Sequence, residues 1–131
     1  MDKALSALDT PSRQTVESLL EIICKIDAKG VGELFEINGL FSGTLTAGSF
    51  RGRNIIESHI KQIFKRFPNC TGAVNQITVS DRQVDIEWCI TNPDDDSSAP
   101  IPARCVFLLG PSGLIESLRA EWNPRLLPSN Q

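Results

Sequence analysis

The chain has 131 residues and a mass of 14.4 kDa, which is the size of one domain. Its 13 basic and 16 acidic residues give a net charge of −3. This weakly acidic balance argues against bulk binding to nucleic acid or to an anionic membrane. Hydrophobic residues make up 40% of the sequence and charged residues 22%, which is typical of a globular protein rather than a disordered or fibrous one.

The sequence carries no recognisable membrane or targeting signal. No apolar stretch reaches the roughly 18 to 20 residues that span a bilayer. The first residues, Met1 to Leu5, lack the long apolar core of a signal peptide. We therefore expect a cytoplasmic protein without a membrane partner.

The four cysteines, Cys24, Cys70, Cys89 and Cys105, stand apart from one another in the sequence. No C-x-x-C pair occurs and the chain contains a single histidine, so no zinc-ligand spacing can be recognised. Cytosolic cysteines of this kind are reduced and pack as small hydrophobic residues. We expect no metal site, and the sequence implies no cofactor.

Apolar residues at helical spacing predict three helices in the first half of the chain. Thr10-Pro11 is a start signal for the first, because proline fits the first position of a helix. Asp27 is a candidate cap for a second, shorter helix. The third opens at Gly52 or Asn54 and is ended by Pro68. The predicted helices cover 10–26, 27–35 and 52–67.

Basic residues cluster around the third predicted helix, at Arg51, Arg53, Lys61, Lys65 and Arg66. Such a cluster can be interpreted as a phosphate-binding patch. We prefer a solvated helix face, because Glu57 and Lys61 have the spacing of a surface ion pair and no aromatic residue is interleaved for base stacking. We therefore expect no nucleic acid partner.

Strand patterns replace helical ones in the second half of the chain. A short mixed segment at 39–45 predicts one early strand, and alternation of apolar and polar residues predicts four more. Helices followed by an antiparallel run of strands indicate an α+β fold with the helices on one face of a curved sheet. The four later strands are predicted at 73–79, 84–90, 101–109 and 118–122.

Three segments carry a resemblance to the nuclear transport factor 2-like superfamily, which includes SnoaL-type polyketide cyclases and ketosteroid isomerase. The segments are Asp27–Phe35, Phe50–Ile56 and Gly113–Trp122. The resemblance covers residues 12–123, leaving 1–11 as a short leader and 124–131 as a flexible tail. It implies a cystatin-like cone fold, in which three N-terminal helices pack on a strongly curved, mostly antiparallel sheet around a central cavity.

The same resemblance allows the catalytic positions of ketosteroid isomerase to be compared. Its general base is expected at or near Gly43, its protonated acid at or near Cys105 and its phenol donor near Leu19. Glycine and leucine cannot accept or donate a proton, and the chain contains no tyrosine. We therefore expect that this isomerase mechanism does not operate here.

Five charged residues on the predicted strands offer a different arrangement, two carboxylates bridged by an arginine as in epoxide hydrolases. Strand parity argues against it, because these side chains point away from the face that carries Trp88, Cys105 and Trp122. Family members commonly dimerise through this outer sheet face, so we predict a homodimer through it, with the charge pairs as interface or surface contacts. The five residues are Asp85, Glu87, Arg104, Arg119 and Glu121.

His59 lies within the apolar stripe of the third predicted helix and is the chain's one group with a near-neutral reference pKa. It is a candidate catalytic residue or a polar anchor for a ligand. It can equally be a core histidine whose ring is satisfied by Ser42 or Thr44. The predicted ligand-binding residues are Phe41, His59, Ile63, Ile86, Trp88, Cys105, Phe107, Leu118 and Trp122.

Two functions are compatible with the sequence. The first is a SnoaL-like domain that binds a small apolar molecule, with or without isomerase, cyclase or lyase chemistry assisted by His59. The second is a dimerisation or protein-interaction module of the same fold without catalysis. The missing acid and base favour binding over catalysis, whereas two tryptophans on the predicted cavity face favour a ligand over a filled core.

Overall fold

The computed structural model describes residues 3–44, 48–95 and 99–123. Within them the chain forms two α-helices, α1 (Thr10–Lys25) and α2 (Arg53–Phe64), and two 3₁₀ turns, Lys3–Ala7 and Val31–Leu34. The strands are β1 (Phe35–Gly43), β2 (Ser49–Arg51), β3 (Thr71–Ser80), β4 (Gln83–Thr91), β5 (Ile101–Leu109) and β6 (Ile115–Trp122). No helix in these ranges is both long enough and apolar enough to cross a membrane.

The strands form one sheet in the order β2-β1-β6-β5-β4-β3. β1 and β6 run parallel, and the other neighbours are antiparallel. The register shifts within the β1–β6, β3–β4 and β5–β6 pairs, and such irregularities bend a sheet. The prediction of an α+β fold with a mostly antiparallel sheet is confirmed.

The prediction of three N-terminal helices is wrong, because the segment at 27–35 forms no α-helix. Asp27 does not cap a helix there: its side chain accepts a hydrogen bond from the backbone N–H of Lys29 at 3.1 Å, which closes a turn. Gly30 then takes a left-handed φ of 85°, which interrupts helical geometry. A single 3₁₀ turn follows, and β1 begins at Phe35.

Two other boundaries differ from the prediction for local reasons. β1 begins four residues before the predicted strand start at 39, and α2 ends at Phe64, ahead of Pro68. No pattern in the sequence predicts β2, since three residues are too few to show alternation. β2 exists because it pairs with β1, with Phe50 opposite Phe41.

The chain is already packed before the predicted domain start at residue 12. Asp9 caps α1 by accepting a hydrogen bond from the backbone N–H of Ser12 at 3.0 Å, and Leu5 and Leu8 are buried in the core. The segment predicted as a leader therefore contributes to the hydrophobic core. The predicted tail, 124–131, lies outside the described residues.

Side chains alternate in and out of the sheet as the sequence predicts. On β4 the even-numbered residues from Val84 to Ile90 are buried, and on β5 Cys105 and Phe107 are buried. α1 packs mainly on β3, and α2 packs mainly on β1. The two helices and the inner face of the sheet therefore enclose the core between them.

Candidate functional site

An apolar cavity of about 40 Å³ lies between the helices and the inner face of the sheet. Both helices, the 3₁₀ turn at Val31–Leu34 and four strands contribute to its wall. Its wall includes six of the predicted ligand-binding residues: Phe41, Ile63, Trp88, Cys105, Leu118 and Trp122.

The other three predicted site residues do not line the cavity. Ile86 and Phe107 are fully buried on the inner face of the sheet, where they form core rather than wall. His59 lies on α2 and does not contribute to the wall. Sequence reasoning in turn missed wall residues on both helices: Leu19, Ile22, Ile23, Ile60 and Phe64. Their signal was the helical spacing of apolar residues, which marks the face of a helix that meets the sheet.

Trp88 and Trp122 meet in the wall of the cavity. Each occupies a strand beside β5, and both are paired in register with Ala103 of β5. Because alanine is small, the two indoles approach one another across it, with ring centroids 6.1 Å apart in an edge-to-face arrangement. The relative exposure is 4% for Trp88 and 8% for Trp122. Neither indole N–H has a hydrogen-bond partner among the described residues.

Cys105 adds a thiol to the wall, but not a reactive one. Cys105 is buried, and burial raises the pKa of its thiol to about 12. The nearby negative charge of Asp85 also raises this pKa. The thiolate is the nucleophilic form of cysteine. Cys105 therefore stays protonated at neutral pH and acts as a small apolar residue.

His59 is half-buried against two phenylalanine rings. Its ring centroid lies 4.3 Å from that of Phe50 and 5.6 Å from that of Phe41, which meets it edge to face. Burial lowers the pKa of His59 below its ordinary value, so the imidazole is neutral at pH 7. Phe41 contacts both the imidazole and the cavity, while the imidazole does not form part of the cavity wall.

Comparison with known proteins identifies the fold. Neither a protein-family model nor a curated protein matches the sequence. A steroid delta-isomerase from Pseudomonas aeruginosa superposes with a TM-score of 0.72 at 14% identity, over 89% of this chain and 82% of that one. A SnoaL-like polyketide cyclase candidate from Jannaschia superposes with a TM-score of 0.67 at 17% identity, over 86% and 88%. This chain has the nuclear transport factor 2-like fold.

A third solved structure of this nuclear transport factor 2-like fold contains a small molecule. It is a protein from Catenulispora acidiphila with a ketosteroid isomerase-like fold, in complex with trimethylamine. It superposes with a TM-score of 0.68 at 13% identity, over 85% of this chain and 86% of that one. At these identities the likeness establishes the fold, and the chemistry must come from the site itself.

The three positions compared with ketosteroid isomerase carry neither a carboxylate nor a phenol: they are Gly43, Leu19 and Cys105. The backbone at Gly43 packs against β6 so closely that a Cβ atom would lie 2.1 Å from the carbonyl oxygen of Ala120. A side chain, and hence a carboxylate base, has no room there. Leu19 and Cys105, the other two compared positions, place apolar or protonated groups in the wall.

The charged residues of β4, β5 and β6 lie on the outer face of the domain, as strand parity predicts. Arg104 Nε donates to Asp85 Oδ1 at 3.0 Å, and Arg119 Nε lies 3.0 Å from Glu121 Oε2. Arg104 also approaches Glu121 at 4.0 Å. These charges are paired with one another on the surface and do not activate water in the cavity. Among the described residues, no three His, Cys, Asp or Glu side chains are grouped so as to hold a metal ion.

Proposed function

We propose that this domain binds a small apolar molecule in the cavity between its helices and its sheet. The observation that carries the proposal is the position of the cavity: it lies among the buried residues of the core, with wall residues from both helices and four strands. Concave apolar sites of this kind are where proteins bind small molecules. The Catenulispora protein of the same fold in complex with trimethylamine supports this proposal.

The volume restricts the ligand to a small one. The cavity of about 40 Å³ compares with the roughly 10–15 Å³ that holds one water molecule, and is well below the ~150 Å³ of an engineered cavity that binds benzene. A larger molecule would enter only after side chains of the wall moved. Two apolar wall residues, Ile22 on α1 and Phe64 on α2, are half-buried and therefore also reach the surface. We therefore place the entrance of the cavity between the two helices.

The proposed role is binding without catalysis. Isomerase, cyclase or lyase chemistry assisted by His59 would require the imidazole to reach the ligand, and His59 does not line the cavity; its ring packs against Phe41, which does. No other side chain of the described wall offers a base of near-neutral pKa. The isomerase and cyclase neighbours support the fold and therefore the cavity, and the binding proposal depends on the cavity alone.

Binding is tested with xenon, an apolar probe small enough for this volume, followed by tryptophan emission and thermal unfolding. Because Trp88 and Trp122 line the cavity, occupation changes their emission, and a ligand that binds the folded state raises Tm. Ala120→Leu fills the cavity from β6 and abolishes both responses. Val79→Leu, a half-buried position on β3 outside the wall, is the matched control and keeps them. Unchanged emission and Tm at saturating xenon contradict the proposal.

We further propose that two copies of the chain associate through the outer face of the sheet. A shallow groove of about 340 Å³ runs over this face and is bordered by Leu40, Val106 and Leu108. Leu108 is 40% exposed, which is unusual for a leucine in the middle of a sheet. Covering these apolar side chains with a second copy removes them from water.

The basic residues near α2 support a solvated surface rather than a nucleic acid site. Arg53 Nε donates to the carbonyl of Phe35 at 2.7 Å, and Arg51 donates to the carbonyl of Asn38 at 2.8 Å. Both guanidinium groups thereby fix β1 against its neighbours. We propose that this face binds no nucleic acid, and a flat signal in a fluorescence anisotropy titration with single-stranded DNA is the expected result.

A further inference from the structure

β3 (Thr71–Ser80) forms a long edge of the sheet. It stands at the end of the strand order, and among the described residues its backbone pairs with β4 alone. In an antiparallel pair, every second residue turns its N–H and C=O groups away from the neighbouring strand. At roughly 3.3 Å per residue, the ten residues of β3 present these free groups along an edge of about 33 Å.

Edge strands usually carry a feature that prevents pairing with another chain, such as a short length, a charged side chain, a proline or a bulge. β2, at the opposite end of the sheet, fits this pattern because it has three residues and one of them is Arg51. β3 contains no proline and no charged residue. Its register with β4 shifts once, between Val74 and Gln76. The sheet is therefore well protected at the β2 end and weakly protected at the β3 end.

α1 covers the inner face of β3 rather than its edge. A Cβ atom at Gly72 would lie 2.3 Å from the carbonyl oxygen of Ile23 on α1. A Cβ atom points out of the face of a sheet and not along its edge, so this contact places the helix over the strand. Val74 and Val79 point to the same inner face and are half-buried there. An additional strand would remove more of their apolar surface from water.

We propose that the edge of β3 binds an extended segment of a partner protein, which joins the sheet as an additional strand. Strand addition of this kind derives its affinity from main-chain hydrogen bonds and its specificity from alternate side chains. The inward side chains of the segment are apolar, because they lie beside Val74 and Val79. The outward side chains are basic, for a reason that lies on β4.

Glu87 places an unpaired negative charge next to this edge. It is exposed on the outer face of β4, opposite Gln76 of β3. Its neighbour on β5, Arg104, forms its hydrogen bonds with Asp85, and among the described residues Glu87 has no ion pair. Two strand spacings, about 9–10 Å, separate Glu87 from a residue added opposite Gln76, and a lysine and a glutamate side chain together span that distance. β3 itself has no basic residue, so a partner segment fits this edge better than a second copy of β3 does.

Three fluorescein-labelled peptides test the proposal on the whole chain. The first alternates valine and lysine along its length. The second has the same composition and charge, with all its valines before all its lysines, and the third alternates valine and glutamate. We expect fluorescence anisotropy to show that the first peptide binds about tenfold more tightly than either of the others, because it alone combines strand alternation with basic side chains.

Hydrogen exchange shows where the first peptide binds. We expect saturating peptide to slow amide exchange about tenfold or more at alternate residues of β3, those whose N–H groups do not bond to β4. Methylation of every backbone nitrogen of the peptide keeps its side chains and charge but removes its hydrogen-bond donors. We expect the methylated peptide not to bind.

A charge reversal tests the contribution of Glu87. We expect Glu87→Lys to bind the valine–glutamate peptide more tightly than the valine–lysine peptide, which reverses the native preference. Glu33→Lys makes the same change of charge at an exposed residue of the Val31–Leu34 turn and is the matched control. It is expected to keep the native preference.

Several results would overturn the assignment. Equal affinity for the alternating and the block peptide would show that charge and composition suffice without a strand. Binding that survives methylation, or a preference that Glu87→Lys leaves unchanged, would also contradict it. If β3 amides become protected as the protein concentration rises without peptide, a second copy occupies the edge and the assignment to a partner protein is wrong.

Discussion

Arg104 lies directly opposite Glu87 in the β4–β5 register, yet its guanidinium binds Asp85, one diagonal step along the strand. Both guanidinium Nε–carboxylate distances are short, 3.0 Å to Oδ1 and 3.2 Å to Oδ2. The hydrogen bonds from Arg104 hold the pKa of Asp85 below its ordinary value. The pair stabilises the folded state when Asp85 is ionised.

Replacing Asp85 by asparagine tests that relationship through pH. The folded-state pKa of Asp85 lies below the unfolded value, so its contribution is present above the unfolded pKa of about 3.9 and is lost as pH falls through the folded value. We expect Asp85→Asn to lower the free energy of unfolding by no more than about 1 kcal/mol at pH 7, since Arg104 is exposed. Urea denaturation at neutral and strongly acidic pH measures it.

The difference in free energy of unfolding between Asp85→Asn and the native chain should shrink toward zero as pH falls below the folded-state pKa of Asp85. Gln14→Ala, an exposed and uncharged position on α1, serves as the control; because it changes no titratable group, its effect on stability should not vary with pH. A stability difference that stays constant from pH 7 into the acid range would show that the substitution acts through packing rather than through charge.

A methyl group at Gly43 should destabilise the domain. The added Cβ would lie 2.1 Å from the carbonyl oxygen of Ala120, which is backbone and cannot turn aside, so β1 and β6 must separate. We expect Gly43→Ala to lower the free energy of unfolding by about 1–3 kcal/mol, the usual cost of overpacking. Asn38→Ala, on the exposed side of the same strand, should cost less than about 0.5 kcal/mol. Equal stability of the two variants would contradict the close approach.

The cysteines should differ sharply in reactivity toward iodoacetamide. Cys24 is exposed on α1, whereas Cys105 is buried with a thiol pKa of about 12. At pH 8 we expect Cys24 to be modified in the folded protein while Cys105 is protected, and both to react after unfolding. Peptide mass spectrometry resolves the sites. Rapid modification of Cys105 in the folded chain would mean that the cavity wall opens to solvent.

The imidazole of His59 should titrate below the ordinary histidine value. Burial lowers its pKa, so the unfolded chain binds the proton more tightly and stability falls as pH drops through about 6.5. Because the chain has one histidine, its ring protons give a single titration in the NMR spectrum. His59→Gln should remove this part of the pH dependence. A pKa above 6.5 would indicate that the faces of Phe41 and Phe50 stabilise the imidazolium more than burial opposes it.

A charge at Leu108 should disrupt the proposed association of two chains. Leu108→Lys places an ammonium group in the apolar groove on the outer face, where a second copy would have to desolvate it. We expect light scattering to give a dimer mass for the native chain and a monomer mass for the variant. Ile37→Lys, an exposed position on β1, is the control and keeps the dimer. A native monomer at micromolar concentration would contradict the assignment.

Much of the sheet could be predicted from the sequence because its strands are buried on one face only. Alternation from Val84 to Ile90 and the parity of Cys105 and Phe107 fix which side faces the core, and the structure agrees. The same kind of reasoning predicted a helix at 27–35, and that prediction is wrong. The apolar residues of this segment suit a helix, but the Asp27 turn and the left-handed Gly30 decide its path, and neither is visible in apolar spacing.

The candidate site was predictable on its strands and less so on its helices. Strand parity placed Trp88, Cys105 and Trp122 in the wall. It could not show that the indoles meet, because that depends on both being paired with Ala103 of β5. His59 was predicted from its apolar neighbours in the helix, but helical spacing could not show that it lies outside the wall or that its ring packs against Phe41 of β1.

The parallel pairing of β1 with β6 has a consequence for how the protein is made. β1 spans Phe35–Gly43, and the strand that covers its other edge, Ile115–Trp122, is the last one described. During synthesis β1 and β2 leave the ribosome as a hairpin with an open edge, and β3, β4 and β5 can pair among themselves before the two parts join. The sheet is complete only when β6 pairs with β1, and because these strands are far apart in the sequence this step slows folding. A ribosome that stalls before residue 115 therefore holds a nascent chain with two unpaired sheet edges, a natural substrate for chaperones.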